Sequence, residues 1–433
     1  MRYYLLTLGC PKNVVDSEGM AELLRRAGYV ESDRPEEAEV LIVNTCGFIA
    51  PAREESLAAL RELAQIKRPD QLLVAAGCLA QRDDGLLPRA IPSLDGMLST
   101  RRWYEIATLV NRLRAHFGDI PQAGLVQPAP PVLPRRAQGA SAYLKIADGC
   151  SAPCAFCTIP AIKGPWRSKP VELIVEEARQ LAAQGVKEIV LIAQDTTAYG
   201  YDRGEQDALA SLIEAILEAV PRLPWLRIMY AYPGRVTPRL IETMARYPQV
   251  CHYLDVPLQH GHPETLRRMG RPSDVGMMRR MIARLRAAMP DIALRTTFIV
   301  GYPGETEVEF QTLLDFMAEM AFDRVGVFTY CQEEGTPAAE LPDQVPQEVK
   351  EERRARAMEL QQRISLEKNR ALVGQELDVL IEGAGDGISV GRTYRDAPEV
   401  DGLVIVQEEL PVGAMVPVRI TGAMEYDLLG AVI

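Results

Sequence analysis

Eight cysteines stand in this 433-residue chain, at positions 10, 46, 78, 150, 154, 157, 251 and 331. Cys150, Cys154 and Cys157 fall within eight residues of one another, in the segment DGCSAPCAFCTIP. The thiolate is the metal-binding form of cysteine, and three thiolates on one short loop can wrap one side of a metal cluster. Zinc prefers four ligands, commonly in paired C-x-x-C knuckles, and no second pair lies nearby. Ferredoxin loops use a two-residue first gap and a remote fourth cysteine; here the first gap is three. Three ligands on a cluster of four irons leave one iron open to a small molecule. A zinc knuckle, or chance spacing, is the alternative reading.

A second trio is dispersed. Cys10, Cys46 and Cys78 each come just after a short apolar run: Tyr3–Leu8, Val40–Asn44 and Leu72–Ala76. Such runs, bounded by Gly, Cys or Asn, read as buried parallel strands. Parallel strands bring their C-terminal ends to one edge of a sheet, where such folds bind ligands. Three cysteines remote in sequence therefore converge, and neighbouring glycines permit close approach of backbone to a bulky group. The functional reading is a second, incompletely ligated cluster; the plain alternative is three buried structural thiols.

The elements that must position these residues follow from periodicity. Helix candidates Asp16–Ala27, opened by Asp16-Ser17 and closed by Gly28, and Arg53–Gln65 alternate with the first strands. This predicts a parallel α/β domain over residues 1–120. Pro121–Arg136 is proline-rich and reads as a linker. Over residues 137–346 candidate strands Ala142–Ile146, Glu188–Ala193, Leu226–Tyr230, Tyr253–Val256, Ala293–Val300 and Arg324–Phe328 alternate with helices such as Pro170–Gln184 and Asp207–Ala219. Six such units fit a partial or full β/α barrel. The cysteine loop follows the first of them, at the end where such barrels carry active sites. Residues 347–372 form a charged helix, read as a connector with a solvated face. Residues 373–433 hold five short strand candidates, Glu376–Ile381, Ile388–Thr393, Leu403–Val406, Val416–Thr421 and Leu428–Val432, as in a small OB-like barrel.

Composition narrows the function classes. An apolar share of 47% and a charged share of 25% are those of a globular protein. No apolar run reaches membrane-spanning length, and no secretory cleavage pattern follows the first one, so the chain reads as cytoplasmic. In a reducing compartment clustered cysteines are metal ligands or catalytic groups rather than disulfides. A net charge of −11 argues against a protein that coats nucleic acid.

With its loop after the first barrel strand, Cys150-x3-Cys154-x2-Cys157 resembles the signature of the radical-SAM superfamily. That resemblance implies a 4Fe–4S cluster whose open iron chelates S-adenosylmethionine (SAM), which is cleaved reductively to a 5′-deoxyadenosyl radical; the protein supplies orientation and exclusion of water. Phe156 then lies beside either the adenine or ordinary loop neighbours. The order of domains resembles the methylthiotransferases over essentially the whole chain. LGCPKNVVDSE, NTCGFI, GCLAQR, AQDTTAYG, PLQHGHPETLRRMGRP and GRTYRDAPEVDG look like the RimO branch, whereas the MiaB branch typically reads GCQMN at its first cysteine.

The RimO resemblance implies methylthiolation of the β-carbon of an aspartate in the twelfth protein of the small ribosomal subunit. One SAM methylates sulfur held at the Cys10/Cys46/Cys78 cluster, and a second is cleaved at the other cluster. The two open irons must then face one substrate-sized gap. Gln194 and Asp195, after the second barrel strand, are candidate contacts to SAM amino or ribose groups, and Gly301 to Glu305 is a candidate approach to its adenosine, with plain turn chemistry as the alternative. The alternatives to this function are a tRNA adenosine methylthiotransferase, or a nonenzymatic iron–sulfur or zinc protein.

Several residues receive structural readings. Cys251 and Cys331 are expected as buried thiols, and His252, His260 and His262 as packing, hydrogen-bonding or substrate-contact groups rather than ligands. Lys163, Arg167 and Lys169 are either a solvated group or a hold on an acidic substrate or SAM carboxylate. Residues 373–433 carry eleven carboxylates against three arginines, leaving −8. Domains resembling this one, called TRAM, bind RNA in the tRNA-modifying relatives, where phosphate contacts need Lys and Arg. The acidic version is expected to favour a basic ribosomal protein over RNA, or to serve only solubility. An electron-donor protein is also implied.

Overall fold

The computed structural model describes residues 1–82, 85–115, 135–137 and 139–433; residues 121–134 of the expected linker lie outside them. The chain divides into two compact units, one of Met1–Arg136 with Asp148–Ser151 and Thr158–Arg167, the other of Ala137–Ala147, Ala152–Cys157 and Ser168–Ile433.

In the first unit, β1 (Arg2–Thr7), β2 (Val30–Glu31), β3 (Val40–Thr45), β4 (Leu72–Gly77) and β5 (Gly96–Ser99) form a parallel sheet in the order β2-β1-β3-β4-β5. Every residue of β3 and β4 is buried, because helices cover both faces; a strand so placed has no polar face and reads as a continuous apolar run. On one side α1 (Pro11–Arg26) supplies Met20, Leu23 and Leu24 against Val40, Ile42 and Val74. On the other, α2 (Ala50–Ile66) supplies Leu57, Leu60 and Leu63 against Leu41, Val43 and Leu73. The short helices α3 (Cys78–Arg82) and α4 (Leu86–Ala90), then α5 (Ile106–Arg114), complete the layers.

α1 begins five residues before the expected start at Asp16. Pro11 occupies its first turn, where a missing N–H costs nothing, and Cys10 is the extended residue at its N-cap. Asp16 and Ser17 are thereby carried into the helix body and buried.

In the second unit, β6 (Ser141–Lys145) opens a second parallel sheet. The extended pairs β7 (Ala147–Asp148) and β8 (Arg167–Ser168) stand before and after the cysteine loop in sequence. The sheet continues through β9 (Glu188–Ile192), β10 (Trp225–Ile228), β11 (Val250–Asp255), β12 (Ala293–Val300) and β13 (Arg324–Thr329), in the order β13-β12-β11-β10-β9-β6. Neighbours follow chain order and β6 does not pair with β13, so the barrel is partial. Residues Gln347–Arg370 form one helix, whose face of Lys350, Arg353, Ala357, Gln361, Ser365 and Asn369 is buried. The opposite face, with Glu351, Glu352, Glu359 and Glu367, is exposed as expected; the buried polar face was not. Gln361 Nε2 donates to the Phe322 carbonyl at 2.9 Å and Ser365 Oγ to that of Asp323 at 3.2 Å. A polar stripe at three- and four-residue spacing satisfies carbonyls beside the edge strand, which an apolar stripe would leave unpaired.

Residues Glu376–Gly385 (β14), Ile388–Arg392 (β15), Val404–Val406 (β16), Met415–Ala423 (β17) and Leu428–Val432 (β18) close a barrel in the order β14-β15-β16-β18-β17. Val379, Ile381, Val404, Val406, Val418, Ile420 and Leu428 fill it.

An ionic seam fastens this barrel to the six-stranded sheet. Arg392 reaches Glu188 at 2.7 Å and Ser141 Oγ at 2.9 Å, while Arg227 Nε meets the same Glu188 at 2.6 Å. Arg324 pairs with Asp396 at 2.5 Å, Arg395 with Asp323 at 2.7 Å, and Tyr253 donates to Asp401 at 2.7 Å. Asp396 and Asp401 were counted among the barrel's acidic groups, but their side chains are only 2% exposed, turned inward to arginines. Burial works to raise the Glu188 carboxyl, and Arg227 and Arg392 outweigh it, holding it at about 2. Removing one partner of a buried pair strands the other charge, at a cost of about 3–5 kcal/mol. Glu188→Gln, which takes the shared carboxylate from both Arg227 and Arg392, is therefore expected to lose at least that much in denaturant unfolding, and Arg392→Met, which leaves Glu188 paired with Arg227, distinctly less. Because the glutamate is depressed, its contribution is complete above the ordinary glutamate range and fades as pH falls towards 2.

Candidate functional site

β1, β3 and β4 are neighbours in their sheet. With strands about 4.8 Å apart, their C-terminal ends fall along one short edge. Cys46 is the residue after β3, Cys78 the residue after β4, and Cys10 caps α1 three residues past β1. Gly9 has φ +92°, and a Cβ there would lie 2.8 Å from Cys46 Cβ. The backbone beside the first cysteine thus packs directly on the second.

Asn13, wholly buried, braces the trio. Its Nδ2 donates to the carbonyls of Leu8 (2.8 Å) and Thr45 (3.1 Å), and its Oδ1 lies 3.7 Å from the Cys78 thiol. Asn44 Nδ2 in turn donates to the Asn13 carbonyl and Ser17 Oγ, both at 2.9 Å. The Cys46 amide donates to Ser56 Oγ at 3.0 Å. Sequence reasoning missed Asn13. The available signal was its place one turn into a helix beginning at Cys10, hidden by the late helix start.

The thiols perturb one another. Burial pushes Cys46 up, with Cys10 adding to the effect, and pushes Cys78 up to about 11, with Cys10 and Cys46 adding and Lys163 opposing. Among the described residues no three His, Cys, Asp or Glu side chains close tightly enough for a single metal ion. A multi-iron cluster holds each cysteine on a different iron and spreads them more widely. An all-sulfur donor set also suits iron–sulfur chemistry. The residues fit such a group.

Lys163 belongs to this unit. It ends α6 (Ile159–Lys163), and its ammonium meets Asp16 at 3.0 Å and Thr100 Oγ1 at 2.6 Å, with both members of the ion pair under 5% exposed. Neither a solvated cation nor a hold on a substrate carboxylate, the two sequence readings, describes it. Arg167 is exposed and Lys169 pairs with Glu177.

In the second unit the segment Ala152–Cys157 is held by backbone: the Ala155 amide donates to the Met269 carbonyl and its carbonyl accepts from Ala338, both at 2.9 Å. Gly270 has φ +66°, and a Cβ there would run into the Pro153 carbonyl. Arg271 Nη1 lies 3.6 Å from Cys154 Sγ, with its guanidinium stacked on Tyr232 at 4.2 Å. Phe156 packs against Met269, Tyr302, Tyr330 and Ala338. In the first unit, Cys150 is fixed by its amide to the Gly164 carbonyl at 3.0 Å.

The remaining candidates lie past strand ends of the partial barrel. Gln194 is half-buried after β9. Asp195 accepts from Thr197 Oγ1 (2.6 Å) and the Ala198 amide (3.1 Å) and pairs with Arg235. Glu305 accepts from the amides of Gly301 (3.0 Å) and Tyr302 (3.4 Å) and from Arg353 (2.8 Å). Both carboxylates shape their loops. His260 is fully buried and accepts the His262 amide at 2.9 Å, while His252 meets Asp291 at 2.7 Å. Cys251 is a buried thiol pushed up to about 12 by burial, and Cys331 lies 3.2 Å from Glu333.

Comparison with known proteins agrees with this architecture. Residues 144–317 match the radical SAM superfamily, residues 2–99 an uncharacterized protein family, UPF0004, and residues 373–433 the TRAM domain. The radical S-adenosylmethionine methyltransferase TsrM from Kitasatospora setae shares the fold, with TM-score 0.58 and 16% identity over 92% of this chain and 82% of that one. These features define a radical-SAM protein, a class that implies a 4Fe–4S cluster and SAM. Ribosomal protein uS12 methylthiotransferases RimO from Roseiflexus sp. (strain RS-1) and Chloroflexus aurantiacus are each 51% identical, covering 100% and 99% of this chain and 97% and 99% of their own. The chain belongs to the RimO family of radical-SAM methylthiotransferases.

Asn13→Leu removes the brace and unpairs two buried carbonyls, a loss of about 1–3 kcal/mol. With Cys150, Cys154 and Cys157 replaced by Ala in the background, its iron and sulfide per chain should fall well below the parent's. Equal loading would show the brace to be dispensable.

Proposed function

We propose that this chain adds a methylthio group to the β-carbon of an aspartate in ribosomal protein uS12, using two 4Fe–4S clusters. Cys150, Cys154 and Cys157 carry one, and Cys10, Cys46 and Cys78 the other. The observation that carries the two-cluster reading is the second trio's convergence at three adjacent strand ends of one sheet. Identity of 51% along the whole chain to uS12 methylthiotransferases supports the substrate. When bound, the clusters and SAM supply reductive radical formation and a sulfur that can be methylated.

The chain's own residues bind, orient and shield. Met269 and Gly270 hold the loop of Cys154 and Cys157. Phe156 lines the apolar side of the SAM site, with Gln194 and the Gly301 backbone as polar contacts. Asp195 and Glu305 set the shape of the loops that carry them. The residues around bound SAM would have to exclude water, because a primary carbon radical does not survive passage through it.

The partner surface lies on the terminal barrel. Glu376, Asp378, Glu382, Asp386, Glu399, Glu408 and Glu409 are exposed, and Arg419 is the one exposed cation there, already paired with Glu376. Arg392 and Arg395 are turned into the ionic seam. Such a face repels phosphate backbones and attracts a basic ribosomal protein. The setting is the cytoplasm, with a protein electron donor; among the described residues no helix is long and apolar enough to cross a membrane.

Reconstituted protein given SAM, reductant and sulfide should methylthiolate uS12 and leave unmodified tRNA untouched, read by mass spectrometry. Product on tRNA alone would overturn the substrate. C10A/C46A/C78A should still release 5′-deoxyadenosine but form no methylthio product, and C150A/C154A/C157A should do neither. Zinc in place of iron at either trio would sink the mechanism. E408K/E409K should weaken uS12 binding about tenfold, ~1.4 kcal/mol, with the difference shrinking as salt rises. An unchanged Kd would leave the acidic face with solubility alone.

A further inference from the structure

Lys163 has no part in the mechanism above, yet it is a buried cation in the unit that carries the Cys10/Cys46/Cys78 trio. Three features of the first unit hold it there. Asp16 and Thr100 bind its ammonium. Arg101, next in sequence to Thr100, caps the end of α6 by donating to the carbonyls of Ala161 (2.7 Å) and Ile162 (2.8 Å). Thr158 Oγ1, at the start of α6, donates to the Phe48 carbonyl at 3.1 Å, two residues beyond Cys46. A surface lysine needs none of this. Ordering and burying so long a side chain costs about 2 kcal/mol in rotamer freedom besides desolvation.

The pair is also placed along α1. Asp16 sits one turn beyond Asn13, the residue that touches the Cys78 thiol. Lys163, 3.0 Å from Asp16, is thereby held beside the part of α1 that reaches Cys78, and its charge opposes the upward push on that thiol. Burial works against the ammonium, and Asp16 foremost, with Cys78 and Asp148, outweighs burial and keeps it protonated.

We propose that Lys163 is a positioning residue for the cluster on Cys10, Cys46 and Cys78: a fixed positive charge, aimed by Asp16 and Thr100, that offsets the thiolates and raises the cluster's reduction potential. The proposal rests on the two-cluster reading. Iron–sulfur potentials respond to net charge, hydrogen bonds and exposure, and a buried charge is weakly screened. Lys163 also lies six residues after Cys157 in sequence. The strand of chain that carries the SAM-cluster cysteines therefore delivers the charge to the other trio.

The test uses full-length protein with Cys150, Cys154 and Cys157 changed to Ala, reconstituted anaerobically and titrated electrochemically under EPR. The parent should hold about four irons. K163M should hold the same iron with a midpoint more negative by at least 59 mV, a tenfold change in a one-electron equilibrium. K163R should stay close to the parent. D16N/K163M, which leaves no stranded buried charge, should shift in the same direction as K163M and covers the case in which K163M does not fold. An unchanged midpoint in the folded, iron-loaded variants would overturn the proposal, as would K163R shifting as far as K163M. A parent that takes up zinc or no iron would overturn the cluster reading itself, and this proposal with it.

Discussion

Parallel pairing constrains this molecule twice. A parallel sheet delivers all its strands' C-terminal ends to one side, and whatever follows those ends is brought together regardless of distance along the chain. In the first sheet the adjacency of β1, β3 and β4 gathers Cys10, Cys46 and Cys78 from a span of nearly seventy residues. In the second, the loops after β6, β9, β11 and β12 carry the cysteine segment, Gln194, the Gln259–His260 turn and the Gly301 loop. Neither site is built from one motif; each is a consequence of strand order. The burial that stabilises the strands is the same burial that pushes the Cys46 and Cys78 thiols up, favouring their protonated form. A metal bound there would displace those protons, which would couple its binding to the fold.

A second interaction, the buried ionic seam, decides what the terminal barrel can offer a partner. Four of its charged side chains, Arg392, Arg395, Asp396 and Asp401, are consumed against Glu188, Asp323, Arg324 and Arg295. Buried pairs give little net stability over apolar packing, yet they penalise misalignment heavily. The seam thus fixes register more than it adds stability. It also skews the outer surface. Turning two of three arginines inward while most carboxylates stay outside makes the exposed face more one-sidedly acidic than the sequence tally alone conveys.

Much of this was legible in the sequence, for a physical reason in each case. Buried parallel strands are continuous apolar runs, so β3, β4 and β12 could be placed nearly to the residue, as could the closed terminal barrel with its punctuated short strands. What escaped was polar and long-range. The start of α1 at Pro11 was obscured because Asp16-Ser17 imitates a helix cap, whereas both are core groups contacting Lys163, Asn44 and Thr7. The helix Gln347–Arg370 has almost no apolar periodicity, since the face it buries is polar and satisfies carbonyls. Lys163 looks like any basic loop residue until Asp16 and Thr100, 147 and 63 positions away, bind its ammonium. Periodicity reports hydrophobic burial; it is blind to burial by hydrogen bonding and charge pairing.

The same blindness bears on how a ligand is read from loop carboxylates. Asp195 and Glu305 attract notice as acidic groups at strand ends, where ligands bind. Asp195 already accepts two hydrogen bonds and an arginine, and Glu305 two amides and an arginine. A carboxylate so engaged would have to forfeit paired donors to reach a ligand, leaving those donors stranded at about 1–3 kcal/mol each. What these loops present at lower cost is backbone, shaped by the carboxylate behind it, with Gly301 at φ +70° marking where that backbone turns. Asp195 and Glu305 are thus acids that fold their own loops, their donors already supplied from within the chain.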